Sequence, residues 1–157
     1  MVIEIEVPGR GAYHLEHLVL DVNGTITLEG QLIDGVTQRL AELRSLIAVH
    51  LITADTRGRQ AIIDAQLGLE AVRIESEDQA AQKAAFVQQL GEKSVCAVGN
   101  GAIDAAMLRD AALAIAVLGG EGLATSALNA ADVVVPNINA ALDLLLIPLR
   151  LVATLRR

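Results

Sequence analysis

Several short stretches of this chain are apolar at nearly every position rather than at alternate ones. They are the run Leu18, Val19, Leu20 ahead of Asp21, then "VHLITAD" (49–55), "SVCAVGNG" (94–101), "LAIAVLG" (113–119) and "DVVVP" (132–136). A strand with one wet face alternates apolar and polar residues, whereas a strand that is apolar throughout is covered on both faces. Covering several strands in this way requires a parallel sheet with helices on either side.

The intervening segments supply those helices. "LIDGVTQRLAELRSLI" places Leu32, Ile33, Val36, Leu40, Leu43 and Leu46 or Ile47 at helical spacing. "RQAIIDAQLG" reads as a helix closed by Gly68 and "QAAQKAAFVQQLG" as one stopped by Gly91, with the strand "EAVRIE" between them. "AIDAAMLRDA" and "GLATSALNAA" are helical, and residues 138–156 form a closing helix with a bend at Pro148. At the other end "VIEIEV" alternates apolar and acidic residues, "PGRG" turns the chain, and a second extended run leads to Leu20. That pattern predicts a hairpin feeding the first core strand. With 157 residues and no linker or repeat, residues 1–157 are expected to form one three-layer α/β domain.

Three of the strands end in polar clusters: Asp21, Asn23 and Thr25; Thr53 and Asp55; Asn100 and Asp104. Parallel neighbours bring such clusters to one edge, where α/β folds keep their sites. The residue types suit phosphoryl transfer. A strand-end aspartate can attack phosphorus, and the turn from Val22 through Gly24 to Thr25 can aim amides at phosphate oxygens. Thr53 offers a hydroxyl, and Lys83 offsets the charge of phosphate and carboxylate. Asp21, Asn100 and Asp104 are hard oxygen donors of the kind Mg²⁺ selects. Taken singly, Asp21 also reads as a turn residue, Thr53 and Asp55 as a strand end with a helix cap, and Lys83 as part of a solvated, glutamine-rich face.

In order and spacing these motifs resemble the haloacid dehalogenase superfamily from about residue 18 to 136. "DVNGT" resembles its first motif, usually Asp-x-Asp-Gly-Thr, and "LITAD" its second. "QKAAFVQQLG" is similar to the helix that carries the third-motif lysine. "VCAVGNGAIDAAMLRDAALAIAV" resembles the fourth motif, ordinarily Val-Gly-Asp-Gly-x-Asn-Asp, and "ALNAADVVV" its continuation. The likeness is greatest to capless soluble phosphatases related to P-type ATPases. It implies a Rossmann-like sheet and Asp21 as nucleophile, with Thr53 and Lys83 holding a phosphoryl group. It adds Ala54 to the phosphate-binding turn, and gives Mg²⁺ to Asp21, the Asn23 carbonyl, Asn100 and Asp104. Only about two dozen residues separate Thr25 from the second motif, and about as many separate Asp55 from Lys83. Neither gap is long enough for a cap domain, given typical connections of ~2–6 residues plus a helix.

The departures concern chemistry. Asn23 stands where such phosphatases carry an acid/base aspartate, and an amide cannot shuttle a proton, a loss of roughly 10²–10⁴-fold in rate. P-type ATPases have threonine there and hold the aspartyl-phosphate longer, so Asn23 implies slow turnover. Asn100 replaces a carboxylate and Ile103 an asparagine of the fourth motif, which weakens Mg²⁺ binding before phosphate arrives. Both Asn23-Gly24 and Asn100-Gly101 are pairs prone to deamidation, which would regenerate aspartate; a glycine-requiring turn explains them equally well. Two functions therefore stand side by side: a slow Mg²⁺-dependent phosphohydrolase, and a regulatory domain that binds phosphate or a partner without turnover.

Composition narrows the partners. Aromatic residues are 1% of the chain (Tyr13 and Phe86), which leaves little for base stacking, and a net charge of −7 disfavours nucleic acid and anionic membranes. The expected substrate is a phosphorylated small molecule or phosphoprotein. The one cysteine, Cys96, lies in a strand and reads as core. His14, His17 and His50 have no metal-site spacing, and Arg57 and Arg59 read either as anion-steering or as helix-surface charge. The start of the chain shows no leader pattern, and "AALDLLLIPLRLVATL" is interrupted by Asp143, Pro148 and Arg150, so the expected location is the cytoplasm. The apolar residues of 140–155 exceed one stripe, which predicts either packing on the chain's own sheet or self-association as a homodimer.

Overall fold

In the computed structural model, which describes residues 1–55 and 58–157, the six core strands are all parallel. They are β3 (His17–Asp21), β6 (Ala48–Thr53), β7 (Val72–Arg73), β8 (Val95–Gly99), β9 (Leu113–Val117) and β10 (Val133–Val135), in the order β10-β9-β8-β3-β6-β7. The topology is Rossmann-like. β3 lies at the middle with Asp21 opposite Ile52 and Leu20 opposite Val98, so the loops after β3, β6 and β8 leave the sheet side by side.

Side-chain alternation along each strand divides the interior into two cores. Leu18, Leu20, Cys96 and Val98 point to one face, where they meet α1 (Val36–Leu43), α2 (Arg59–Leu67), α6 (Ile138–Leu146) and α7 (Pro148–Leu155). Val19, Val95, Ala97 and Ala114 point to the other, against α3 (Gln79–Leu90), α4 (Ala105–Asp110) and α5 (Thr125–Ala130). Asp21 shares the parity of Val19, so its carboxylate faces α3. Both cores are aliphatic, as the scarcity of aromatic residues requires.

The amino-terminal hairpin forms from β1 (Ile3–Val7) and β2 (Gly11–Leu15) as a separate antiparallel ribbon. Its inward residues Ile3, Ile5, Val7 and Leu15 cap the first core. The extended run predicted to reach Leu20 is broken at Glu16, whose amide donates to Ser94 O and whose carbonyl accepts from Ala48, so β3 starts afresh in the sheet.

The predicted first helix starts later than its periodicity suggests. Leu32 belongs to a second small hairpin, β4 (Thr27–Leu28) with β5 (Gln31–Leu32), and the Ile33 amide donates to Ile26 O. Gly35, at φ 92°, reverses the chain and α1 begins at Val36. The closing helix is two helices bent by 100° at Ile147. Leu142, Leu145, Leu151 and Leu155 all enter the chain's own core, which leaves Ile147 and Leu149 exposed. The apolar surplus that predicted self-association is thus mostly packing on the own sheet. Among the described residues no single helix is long and apolar enough to cross a membrane. Among them, too, the connections flanking β6 build only the small hairpin, helices and the short β7, with no cap.

Candidate active site

The parity of β3 and the inner stripe of α3 decide what meets Asp21. Lys83 and Val87 are four residues apart on the buried face of α3, so Lys83 enters the interior rather than a solvated face. Its Nζ donates to Asp21 Oδ1 at 2.6 Å and to Asp104 Oδ1 at 2.8 Å. Asp104 lies in the 3-10 turn Ala102–Asp104 after β8, and its Oδ2 accepts the Asn100 and Gly101 amides at 3.1 and 3.0 Å. The Thr25 hydroxyl lies 2.9 Å from Asp21 Oδ2 and 3.0 Å from Asn100 Oδ1. Asp21, Thr25, Thr53, Lys83, Asn100 and Asp104 are all buried.

Two carboxylates and one ammonium in so dry a place leave a net negative charge. Burial and then the Asp104 charge push the Asp21 carboxyl up to about 6, against the opposing pull of Lys83 and the Thr25 hydroxyl. Burial works against the Lys83 ammonium, but the two carboxylates outweigh it and raise its pKa. The group opens into a cavity of 830 Å³ whose lining also includes Asn23, Thr53, Ala54, Ile103 and Glu121.

The rest of the predicted set falls as follows. The Val22 carbonyl accepts the amides of Thr25, Ile26 and Thr27, so the Thr25 amide is engaged inside the turn and only its hydroxyl reaches the site. Gly24 sits at φ 77°, a conformation other residues resist. The Thr53 hydroxyl accepts the Asp55 amide at 3.1 Å and keeps its own proton to donate. Asp55 accepts the Gln60 amide near the start of α2, the capping role open to it from sequence. Asn23 is exposed at the cavity mouth, whereas Asn100 is buried.

Away from the site, His17 Nδ1 and His50 Nε2 lie 3.0 Å apart, and His14 contacts Glu4 at the surface. No group of three or more His, Cys, Asp or Glu arranged to hold a metal occurs among the described residues. Cys96 is fully buried, and burial, followed by the Asp132 charge, pushes its thiol far up. Arg59, exposed near the start of α2, lines a second cavity with Asn23, Glu29, Asp55 and Glu121. Arg57 lies outside the described residues.

Sequence reasoning missed Glu121. It follows β9 in "GGEG", at the same edge of the sheet as the other three clusters, and the rule that found them applies equally to a fourth strand end.

The donor set has the chemistry of a hard-cation site, with two carboxylates, an amide oxygen and a nearby carbonyl. Mg²⁺ is commonly held by one or two carboxylates together with water and phosphate oxygens.

No family model matches the sequence. Among curated proteins the chain is 47% identical over 64 residues to the uncharacterised protein MJ0073 of Methanocaldococcus jannaschii, spanning 41% of this chain and 69% of that protein. The chain belongs to the same family as that protein. Among solved structures it is similar to the cobalt-bound deoxy-D-mannose-octulosonate 8-phosphate phosphatase of Haemophilus influenzae. The TM-score is 0.70 at 16% identity, over 84% of this chain and 87% of that one. The 3-deoxy-D-manno-octulosonate 8-phosphate phosphatase of Moraxella catarrhalis, solved with magnesium, phosphate and sugar, gives 0.65 at 18% identity over 84% and 86%. A HAD-family hydrolase of Streptomyces avermitilis gives 0.64 at 21% identity over 82% and 80%. At these identities the likeness is one of fold.

Proposed function

We propose that this chain, which belongs by its fold to the haloacid dehalogenase superfamily, is a phosphohydrolase that passes a phosphoryl group through Asp21 to water. The observation that carries this reading is Lys83 joined to both Asp21 and Asp104 at the floor of an open cavity. Lys83 orients Asp21 Oδ1, keeps the carboxylate ionised against burial, and has a third N–H for a phosphate oxygen. Thr53 offers its free hydroxyl proton to another oxygen, and the backbone at Val22, Gly24 and Ala54 completes the cradle. The Thr25 hydroxyl holds the second oxygen of Asp21 in place.

Asp21, the Asn23 carbonyl, Asn100 and Asp104 would hold a divalent cation, Mg²⁺ in our reading, which would supply charge neutralisation for the transferring phosphoryl group. Metal-bound relatives in fold support this choice. The substrate is a phosphorylated small molecule, in keeping with the sugar-phosphate phosphatases of like fold. Asn23 and Asn100 favour a second reading, in which the site binds phosphate without turnover.

A phosphatase assay with Mg²⁺ separates the two. Release of phosphate by the wild type, lost in Asp21→Asn, supports the enzyme. Tight binding of inorganic phosphate with no release from any ester supports the regulatory domain.

A further inference from the structure

The proposed phosphohydrolase lacks one group: with Asn23 in place of a carboxylic acid, nothing yet described delivers a proton to the leaving oxygen. Besides Asp21, three acidic residues line the site and are candidates for that work, and two are already engaged. Asp104 is held by Lys83 and two amides, and Asp55 accepts the Gln60 amide at the start of α2. The third is Glu121. It is exposed, and among the described residues it makes no hydrogen bond or ion pair.

Its position is built rather than incidental. Residues 119–122 form a tight turn closed by the Gly122 amide on Gly119 O at 3.0 Å. That turn is seated on the nucleophile's own loop: a side chain at Gly119 would meet Gly24 O at 3.4 Å, and one at Gly120 would meet Leu28 at 3.0 Å. Just beyond it, the Ala124 amide donates to Asn100 O at 2.9 Å. Held on both sides, Glu121 lays its Oε2 in the space a Cβ on residue 24 would fill. Only a glycine at 24 leaves that room. Glu121 and Asn23 line the same two adjoining cavities, so the carboxylate reaches the mouth that Asn23 borders. Among the described residues Glu121, Asp21 and Asp104 do not form a trio arranged to hold a metal.

We propose that Glu121 is the proton-carrying carboxylate of this site, the catalytic acid and base that Asn23 cannot be. The inference rests on the phosphohydrolase reading. In the first step an Asp21 oxygen bonds to phosphorus, the phosphorus–ester oxygen bond breaks, and the departing oxygen takes its electron pair and the Glu121 proton. In the second, the Glu121 carboxylate takes a proton from water as the water oxygen bonds to phosphorus. The bond from phosphorus to Asp21 breaks, and phosphate leaves with both side chains restored.

The test compares first-turnover alcohol release from p-nitrophenyl phosphate, whose leaving group needs little protonation, with that from glycerol phosphate, whose leaving group needs it. Glu121→Gln is expected to lose roughly 10²-fold on glycerol phosphate and far less on the aryl ester. Adding Asn23→Asp to that variant restores the glycerol phosphate rate, which a merely structural role for Glu121 does not explain. Equal losses on both esters, no loss on either, or no rescue by Asn23→Asp overturns the inference while leaving the phosphohydrolase reading intact. So does loss of inorganic phosphate binding in Glu121→Gln, since the residue then acts on the fold. A wild type that turns over neither ester overturns the phosphohydrolase reading, and the inference with it.

Discussion

Replacing the proposed nucleophile should make the protein more stable. Asp21 is buried against a second carboxylate, and its carboxyl is pushed from 3.8 up to about 6. A group whose folded pKa lies above its unfolded value costs nothing below the unfolded value, where both states are protonated. The cost grows between the two values and is complete above the folded one. For Asp21 that window runs from 3.8 to about 6, and the full cost at pH 7 is about 3 kcal/mol at roughly 1.4 kcal/mol per tenfold change. Asp21→Asn removes the charge and keeps the shape. The new carbonyl accepts from Lys83, while its NH₂ donates to the Thr25 oxygen as the Thr25 hydroxyl donates to Asn100 Oδ1, so no polar group is stranded. For a chain of 157 residues the gain amounts to roughly 6–12 °C in Tm. The assay is chemical or thermal unfolding of both proteins in chelator, from pH 4 to 8. The variant should match the wild type near pH 4 and exceed it progressively up to about pH 6. An Asp21→Asn protein that is less stable at pH 7, or whose advantage does not change with pH, refutes the electrostatic account of this site.

Lys83→Met should do the opposite, leaving two carboxylates buried together at a cost of about 3 kcal/mol or more at neutral pH; urea midpoints that fail to recover on acidification count against it. Asn23→Asp alone, with Glu121 already carrying the proton, should speed ester hydrolysis far less than it does in the Glu121→Gln background; a gain of about 10²-fold in the otherwise wild-type protein means that Glu121 is not the acid. By calorimetry Mg²⁺ should bind weakly alone and more tightly with inorganic phosphate present, and Asp104→Ala should weaken both; unchanged affinity defeats that ligand assignment. Burial, and then His17, lower the pKa of His50, so it takes its proton more readily when unfolded, and stability should fall as pH drops below about 6.5. His50→Gln, which removes that titration, should flatten this part of the pH profile; a profile unchanged by the substitution points to other groups.

The parallel sheet was legible because its strands are apolar on both faces, a pattern no surface strand tolerates. Asp21, Thr53, Asn100 and Asp104 were legible as candidates for a related reason, since each follows an apolar strand, whereas Lys83, on a glutamine-rich helix, stood out through the resemblance of that helix to the third motif. Periodicity misled at Leu32 and Ile33, because a strand residue pairing across a short hairpin can fall by chance on helical spacing. At residues 140–155 a bend of 100° lets one chain segment bury two faces in the same core, which is the own-sheet alternative for most of its apolar residues. Glu121 was overlooked although the strand-end rule reaches it. Its importance comes from contact between "GGEG" and the loop at Gly24, and no local pattern in either stretch announces the other.

The placement of β3 between β6 and β8 also bears on how the protein is made. Lys83 reaches Asp21 across 62 positions of sequence, and Asn100 reaches Thr25 across 75. Until β8 has left the ribosome the emerging chain has a buried-type strand ending in Asp21 with one of its two neighbours, and until α3 has left it there is no Lys83 to pair the charge of Asp21. Contacts that close such long loops form slowly, so the proposed phosphate site forms only on a sheet already assembled. A nascent chain halted before Asp104 would hold the proposed nucleophile and no site.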